Sequence, residues 1–386
     1  MKQEETMHEL NRLVVSCGGT GGHFNPGLST ACAFRDAGGK PLLILGGKHF
    51  EEQSRTAEKN GIEYRRVSCA PLEKNPIGIL QFLSQQSRGI REARAIFREF
   101  KPDAVLSMGA FPSIPASVAA WRSGIPLFLH DGNARIGKSN RVFSRIASGI
   151  ALSFPAVNEN TLHCPSKVTG LPLRKALLED VPASKAEAIS RINATRGTAF
   201  APDRPVVLVF GGSLGAAAIN ENFTIPIDHP AAKSLQVIHL SGPGKYDAIH
   251  DKYSACGVNA LTLESASDMQ DLYMAADLVV CRAGGSTVSE LAIFGRYAVL
   301  IPYPYAAEGH QDDNARLLAK TGAARIVPNK ECSPGLFRGI LARFLDDPGK
   351  FREAGKAATA LAQPHAAANV IDFIESSLKA IRSKNK

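Results

Sequence analysis

The chain has 386 residues, 44% of them hydrophobic and 21% charged, with a formal net charge of +9. Those fractions exclude a disordered, collagenous or coiled-coil protein, and at roughly 100–200 residues per domain the length points to two domains. The charge is uneven: residues 1–170 hold 21 Lys+Arg against 14 Asp+Glu, and the remaining 216 hold 24 against 22. The first half is therefore the one expected to meet an anionic partner.

Seven cysteines (Cys17, Cys32, Cys69, Cys164, Cys256, Cys281, Cys332) form no CxxC pair, which favours a reducing cytosol over a disulfide framework or a zinc ribbon. No apolar run is long enough to span a bilayer. The opening MKQEETMHEL lacks the apolar stretch of a secretory signal.

Short β-rich runs alternate with helical patterns, the signature of α/β domains built on parallel sheets. In the first half the predicted strands are Leu13–Ser16, Pro41–Leu45, Tyr64–Val67, Ala104–Met108, Leu127–Leu129 and Gly149–Leu152. Between them fall helical patterns at Leu28–Ala37, Glu51–Lys59, Gln81–Phe100 and Ser139–Ala147. The alternation stops at Gly170-Leu171-Pro172 and a polar stretch up to Pro205, with the linker expected near 170–175. It restarts with strands at Val206–Phe210, Gln236–Leu240, Ala260–Leu263, Leu278–Cys281, Ala298–Ile301 and Ala324–Val327. The fold class expected is α/β, two Rossmann-like doubly wound units in tandem facing across a cleft. Their bounds are 1–172 and 173–363, with a last helix in 364–386 expected to pack back on the first domain.

Both halves open with a strand running into glycines: Gly18-Gly19-Thr20-Gly21-Gly22-His23 and Gly211-Gly212-Ser213-Leu214-Gly215. Such turns put backbone N–H groups and a helix N-terminus at the carboxyl edge of a sheet, where phosphates bind. The first is neither a Walker loop nor a complete GxGxxG, because Phe24 stands at the sixth position and Asp36 comes too soon for a dinucleotide site. A plain tight turn is the alternative, and His23 directly after it weighs against that, since an imidazole there suits a general base. A third turn, Ala283-Gly284-Gly285-Ser286-Thr287, follows a strand and starts a helix with Glu290 one turn inside. The helix start can take a phosphate and the carboxylate a ribose diol, although an ordinary capping box has nearly this spacing.

Taken together, CGGTGGHFNPG (17–27), LSMGAFPSIPA (106–116), LHDGN (129–133), TGLPLR (169–174), FGGSLGAAAIN (210–220), CRAGGSTVSELAIFG (281–295) and HQDDNA (310–315) resemble the MurG family of bacterial glycosyltransferases, family 28, of the GT-B fold. The motifs run in family order and cover most of the chain. The resemblance implies inverting transfer of GlcNAc from UDP-GlcNAc to the MurNAc 4-hydroxyl of lipid I, giving lipid II. It puts Thr20, Gly21 and Gly22 on the sugar and diphosphate, Asn133 on the GlcNAc, and Arg174 and Ser213 on the diphosphate. Ala266 falls to uracil, Gly285, Ser286, Thr287, Val288 and Ser289 to the nucleotide, Glu290 to the ribose and Gln311 to the sugar hydroxyls. Gly18, Gly19, Gly109, Ala110 and Ser113 fall to the acceptor diphosphate.

His23 is the expected base, with Asp131 a second candidate or an orienting partner. The chain departs from the family at His310, at Asp131-Gly132 and at Ala110, where a glycine is usual. A glycolipid synthase or a UDP-GlcNAc 2-epimerase would share the nucleotide half. With no Asp-x-Asp in the sequence, no metal clamp and no required cofactor are expected, and Mg²⁺ assistance stays open. No nucleic-acid recognition motif is present.

Residues 73–101 carry six basic and three acidic side chains. Ile90, Ala93, Phe97 and Phe100 recur at helical spacing, Arg88, Arg91, Arg94 and Arg98 fall on another stripe, and Ile77, Ile79, Leu80, Phe82 and Leu83 are denser than one buried face needs. A core helix with a solvated basic face is the common reading of such a pattern. An apolar surface rimmed by arginine also suits docking on anionic lipid, so a peripheral position on the cytoplasmic face of the inner membrane is expected.

Overall fold

The computed structural model describes residues 10–73, 75–212 and 215–384. The chain divides into two compact units, one reaching to Arg174 and resuming at Gln363, the other Lys175–Ala362.

The first unit is built on seven strands: β1 (Arg12–Ser16), β2 (Lys40–Leu45), β3 (Tyr64–Arg66), β4 (Ala104–Ser107), β5 (Leu127–Asp131), β6 (Gly149–Leu152) and β7 (Ser166–Val168). They pair in parallel in the order β3-β2-β1-β4-β5-β6-β7. Both faces are covered, so the central strands are apolar throughout rather than alternating. Leu13, Val15, Leu43, Leu45, Leu106 and Phe128 pack on one side with Phe24 and Leu28 of the Gly21–Asp36 helix and with Phe373 and Ile374 of the last helix, Ala366–Lys384. Val14, Leu42, Ile44, Val105 and Leu129 pack on the other, against Ala93 and Phe97 of the Pro76–Phe100 helix. Phe373 meets Phe128 edge-on with ring centres 6.0 Å apart. Gly149 is required under it, because a Cβ there would lie 2.8 Å from the Phe373 ring.

The second unit carries β8 (Val206–Phe210), β9 (Gln236–Leu240), β10 (Asn259–Leu263), β11 (Leu278–Cys281), β12 (Ala298–Leu300) and β13 (Ala324–Ile326). All are parallel, in the order β10-β9-β8-β11-β12-β13. In each sheet the chain order reverses once, between β1 and β4 and between β8 and β11. Ligands of such sheets bind at that switch point, outside the carboxyl ends of the strands.

Three differences from the sequence reading have physical causes. The first helix starts at Gly21, seven residues ahead of the predicted Leu28, because its opening glycines and Pro26 disguise helical sequence as turn. The polar stretch before Pro205 contains a helix, Lys185–Arg196, with Ser184 accepting from Glu187 N and Gly197 ending it in the left-handed region. Only Ala188, Ile189 and Ile192 of that helix are buried, too sparse a set to show as periodicity. Strand β7 is three residues long and has no buried position.

Candidate active site

In the first unit, four loops at the carboxyl edge of the sheet come together around the switch point. Gly18 (φ +150°) and Gly19 (φ +77°) carry the chain from β1 into the Gly21–Asp36 helix through conformations open to glycine. Side chains added there would meet Gly46 O at 3.1 Å and Pro112 at 3.3–3.6 Å, so the turns after β1, β2 and β4 lie in mutual contact. The Gln53 amide donates to the Gly19 carbonyl at 2.9 Å and fixes the turn. Thr20 precedes the helix with its hydroxyl 3.3 Å from Nδ1 of the half-buried His23. Thr20, Gly21 and Gly22 are exposed. A Cβ on Gly132 would come within 4.0 Å of the Gly22 carbonyl oxygen, so the LHDGN turn sits beside the glycine turn.

Asp131 is buried, and its carboxylate is held by its own loop and the helix that follows. Oδ1 accepts from Asn133 N at 3.1 Å, and Oδ2 from Gly137 N at 2.8 Å and the Asn140 amide at 3.0 Å. That set of donors organises the turn presenting Asn133.

Sequence reasoning missed the neighbour, His130. It is 2% exposed, and burial together with the positive field of nearby His23 brings its pKa down to about 4 despite the contact of Nε2 with the Gly170 carbonyl at 3.4 Å. It is a neutral imidazole beside the candidate base. The signal was in the sequence, one position before Asp131, and nothing in its spacing set it apart.

Ala110 stands at φ 58°, ψ 173°, a region occupied essentially by glycine. Gly109, before it, is at φ +85°. Ser113 is buried, with its hydroxyl donating to Ser16 O at 2.9 Å and its N–H to Ala110 O at 3.3 Å. Arg174 is exposed and ends the unit.

In the second unit, the turn after β8 depends on Gly211, where a Cβ would overlap Ala216 N at 2.2 Å, and on Gly215 at φ +70°. Ser213 lies outside the described residues. The Gly285–Phe294 helix follows β11 with Gly284 as its first cap and no side chain on its opening N–H groups, which leaves Gly285, Ser286 and Thr287 half-buried around them. Those donors are what an anion at a helix start requires. Val288 is wholly in the core, and the buried hydroxyl of Ser289 has no protein partner.

Glu290 accepts from the fully buried Tyr273 at 2.7 Å through Oε2, a partner not anticipated from sequence. Gln311 uses its carbonyl oxygen on Tyr303 N (2.9 Å) and Ala283 N (3.3 Å), so its amide N–H groups are the end that can reach a sugar. Ala266 is half-buried on the loop after β10.

These two glycine-bordered switch points correspond to two matched family profiles. The N-terminal domain of glycosyltransferase family 28 matches residues 13–152, and its C-terminal domain matches residues 206–370. The chain belongs to glycosyltransferase family 28. Among curated family 28 relatives, the UDP-N-acetylglucosamine–N-acetylmuramyl-(pentapeptide) pyrophosphoryl-undecaprenol N-acetylglucosamine transferase of Thermodesulfovibrio yellowstonii is 31% identical, covering 95% of this chain and 99% of its own. The protein of the same name from Psychromonas ingrahamii is 33% identical over 96% and 98%. Among solved structures, Acinetobacter baumannii MurG superposes with a TM-score of 0.72 at 28% identity, covering 95% of this chain and 99% of that one. The family 28 membership agrees with the fold expected from the sequence, two parallel-sheet Rossmann-like domains of the GT-B type.

Proposed function

We propose that this chain transfers GlcNAc from UDP-GlcNAc to the MurNAc 4-hydroxyl of undecaprenyl-pyrophosphoryl-MurNAc-pentapeptide, lipid I, with inversion, to form lipid II. The likeness over nearly the full length to relatives bearing that name supports the reaction. The observation that carries the mechanism is the Thr20–His23 pair at the first switch point. With Nδ1–H turned to the Thr20 hydroxyl, the tautomer leaves Nε2 to take the acceptor hydroxyl proton as that oxygen attacks the anomeric carbon. A positioned base of this kind contributes roughly 10²–10⁴ in rate.

The first unit takes the acceptor and the second the donor. On the donor side, the opening N–H groups of the Gly285–Phe294 helix face the diphosphate and Glu290 the ribose diol. The Ser289 hydroxyl gains a partner when the nucleotide binds, and the Gln311 amide and the Ala266 backbone complete the recognition of sugar and uracil. Ser213 and Arg174 belong to the diphosphate, and Thr20, Gly21, Gly22 and Asn133 to the sugar. Charge developing on departing UDP is stabilised by fixed N–H donors already aimed at it. Asp131 acts as a positioning residue through Asn133, because its oxygens are held by two N–H groups of its own loop and by the Asn140 amide of the helix that follows. Gly18, Gly19, Gly109 and Ala110 approach the acceptor diphosphate by backbone alone.

The acceptor is lipid-linked, and the first unit carries an apolar surface fit to meet a membrane. Ile77 (72% exposed), Leu80 (69%), Ile79 and Leu83 open the Pro76–Phe100 helix, with Leu72 just ahead of it. Exposed Arg88 and Arg91 follow one to two turns on. Among the described residues no helix is long and apolar enough to cross a membrane, and docking of this helix on an anionic leaflet gives a peripheral position at the inner membrane. Arg88 is paired with Glu92 at 2.9 Å, so Arg91→Glu is the cleaner charge reversal. Unchanged flotation of that variant with anionic liposomes would remove this part of the reading.

UDP release from purified protein given UDP-GlcNAc and a lipid I analogue tests the whole. Acceptor-dependent release with a disaccharide product is expected. Release without acceptor, accompanied by ManNAc, would point to epimerisation and overturn it.

A further inference from the structure

The first unit contains a cavity of about 520 Å³ that no step above uses. That is the size of a small-molecule site. It opens beside Gly19 and Thr20, and is walled by the turn after β2 (Gly47, Lys48, His49) and the segment after β3 from Arg66 to Pro71. It exists because the Pro76–Phe100 helix is drawn against that segment. At Gly89 a Cβ would lie 2.0 Å from Ser68 O, and Glu92 accepts from Ser68 N at 2.7 Å and its hydroxyl at 3.1 Å.

The lining holds three basic side chains and no acidic one, on a body of Val67, Ala70, Pro71 and Phe111. Lys48 pairs with no carboxylate among the described residues. Arg66 rests over the Phe50 ring at 4.5 Å and is 3.9 Å from Glu51, a loose, exposed ion pair that a ligand carboxylate can replace.

We propose that this cavity binds the peptide limb of the acceptor, with Lys48 and Arg66 meeting its carboxylate. The inference rests on the reading of the chain as a lipid I transferase and deepens it by assigning acceptor specificity. An acceptor whose sugar hydroxyl is presented to His23 has two further limbs, a diphosphate and a peptide. The diphosphate is served by the glycine-turn backbone at the switch point. Thr20 both contacts His23 and lines the cavity, so a second limb leaving the same sugar enters it directly. Apolar walls with two cationic tips suit a peptide ending in carboxylate, whereas a diphosphate has no use for the apolar surface.

The test measures kcat/KM for two lipid I analogues, one carrying the pentapeptide and one without it, at saturating UDP-GlcNAc, for the unaltered protein and for Lys48→Ala and Arg66→Ala. Both side chains are exposed, so folding is not at stake. The ratio of kcat/KM with peptide to that without is expected to fall roughly tenfold in each variant, the effect of one charge-assisted hydrogen bond. Equal losses on both analogues would assign the cavity to the diphosphate or the sugar and overturn the proposal, as would no loss on either. Calorimetric binding of soluble MurNAc-pentapeptide needs no turnover and separates the two readings. Binding weakened by Lys48→Ala in a protein that releases no UDP would sink the transferase reading and keep the cavity; absence of binding in an active protein would do the reverse.

Discussion

The Thr20 hydroxyl lies 3.3 Å from Nδ1 of His23, three residues on and one helical turn away, at the start of the Gly21–Asp36 helix. Thr20 makes no side-chain cap to that helix, so its hydroxyl serves the imidazole rather than the helix N-terminus. A threonine in a capping position more commonly accepts from the helix N–H groups instead.

His23→Ala should therefore lower kcat by about 10²–10⁴ while leaving the KM for UDP-GlcNAc within about twofold. Thr20→Val should lower kcat by about three- to tenfold through loss of one hydrogen bond, with stability changed by no more than about 0.5 kcal/mol. Steady-state kinetics and thermal unfolding check both. Equal activity of His23→Ala and the unaltered protein would exclude the imidazole as base.

Ala110 carries a strain that can be relieved. At φ 58°, ψ 173° its Cβ is in a region that costs an alanine about 1–3 kcal/mol, and Gly109 before it is at φ +85°. Ala110→Gly removes the clash and gives back up to about 1 kcal/mol in unfolded-state entropy, so the net gain is about 1 kcal/mol. Denaturant unfolding of the two proteins measures it; a destabilised glycine variant would mean that the methyl packs well enough to outweigh the strain.

How far the site could be read from the sequence depended on whether the chemistry lay in the chain or across it. The glycine turns and the Glu290 helix are contiguous, so strand, turn and helix signals sit side by side and locate both switch points. Tyr273 on Glu290, Gln53 on Gly19 and the cavity between Lys48 and Arg66 join residues 17, 34 and 18 positions apart, and no local pattern brings them together. Ser113 shows what a contiguous motif leaves out. It lies in the correct motif, but the fold turns its hydroxyl inward to Ser16, 97 residues away. For the fold, eleven of the twelve predicted strands needed a shift of one residue or none at any edge, because parallel core strands are unbroken apolar runs; Leu127–Leu129 needed two more residues, His130 and Asp131, whose polarity hid them.

Two buried histidines make the protein acid-labile before its carboxylates titrate. His130 in the first unit has its pKa lowered to about 4 by burial, with His23 adding to it; His239 in the second is lowered to about 3 by burial and then by Lys252. His239 sits between the Tyr253 hydroxyl (2.7 Å) and Asn220 Oδ1 (3.1 Å), satisfied as a neutral ring. Both folded values lie below the ordinary 6.5, so above that pH neither state is charged and there is no penalty. Below it the unfolded chain takes up a proton that the folded chain refuses, and stability falls until the folded value is reached. By pH 5 the loss is about 2 kcal/mol per histidine. Unfolding at pH 7.5 and 5.0 reads it, with the single tryptophan, Trp121, reporting the first unit and circular dichroism both. Identical stability at the two pH values would show that these rings protonate in the folded state.

Tyr273 is the test of whether Glu290 acts as a ribose clamp. Its hydroxyl donates to Oε2 at 2.7 Å, and its ring is fully buried, stacked on Phe294 with centres 5.0 Å apart. The ring anchors the hydroxyl, and the hydroxyl holds the carboxylate in one orientation at the edge where a ribose diol would bind. Tyr273→Phe keeps the packing and deletes only the donor. Loss of one hydrogen bond worth about 0.5–1.5 kcal/mol should raise the KM for UDP-GlcNAc two- to tenfold, with kcat at saturating donor and the KM for acceptor little changed. Glu290→Gln should raise the same KM further, because it replaces an acceptor of two hydrogen bonds by a group with only one accepting oxygen. In the double variant the two effects should fall short of additivity, since the tyrosine acts through the carboxylate. Full additivity, or a loss confined to kcat, would mean that Glu290 does other work than holding the ribose, and that Tyr273 merely fills the core beneath it.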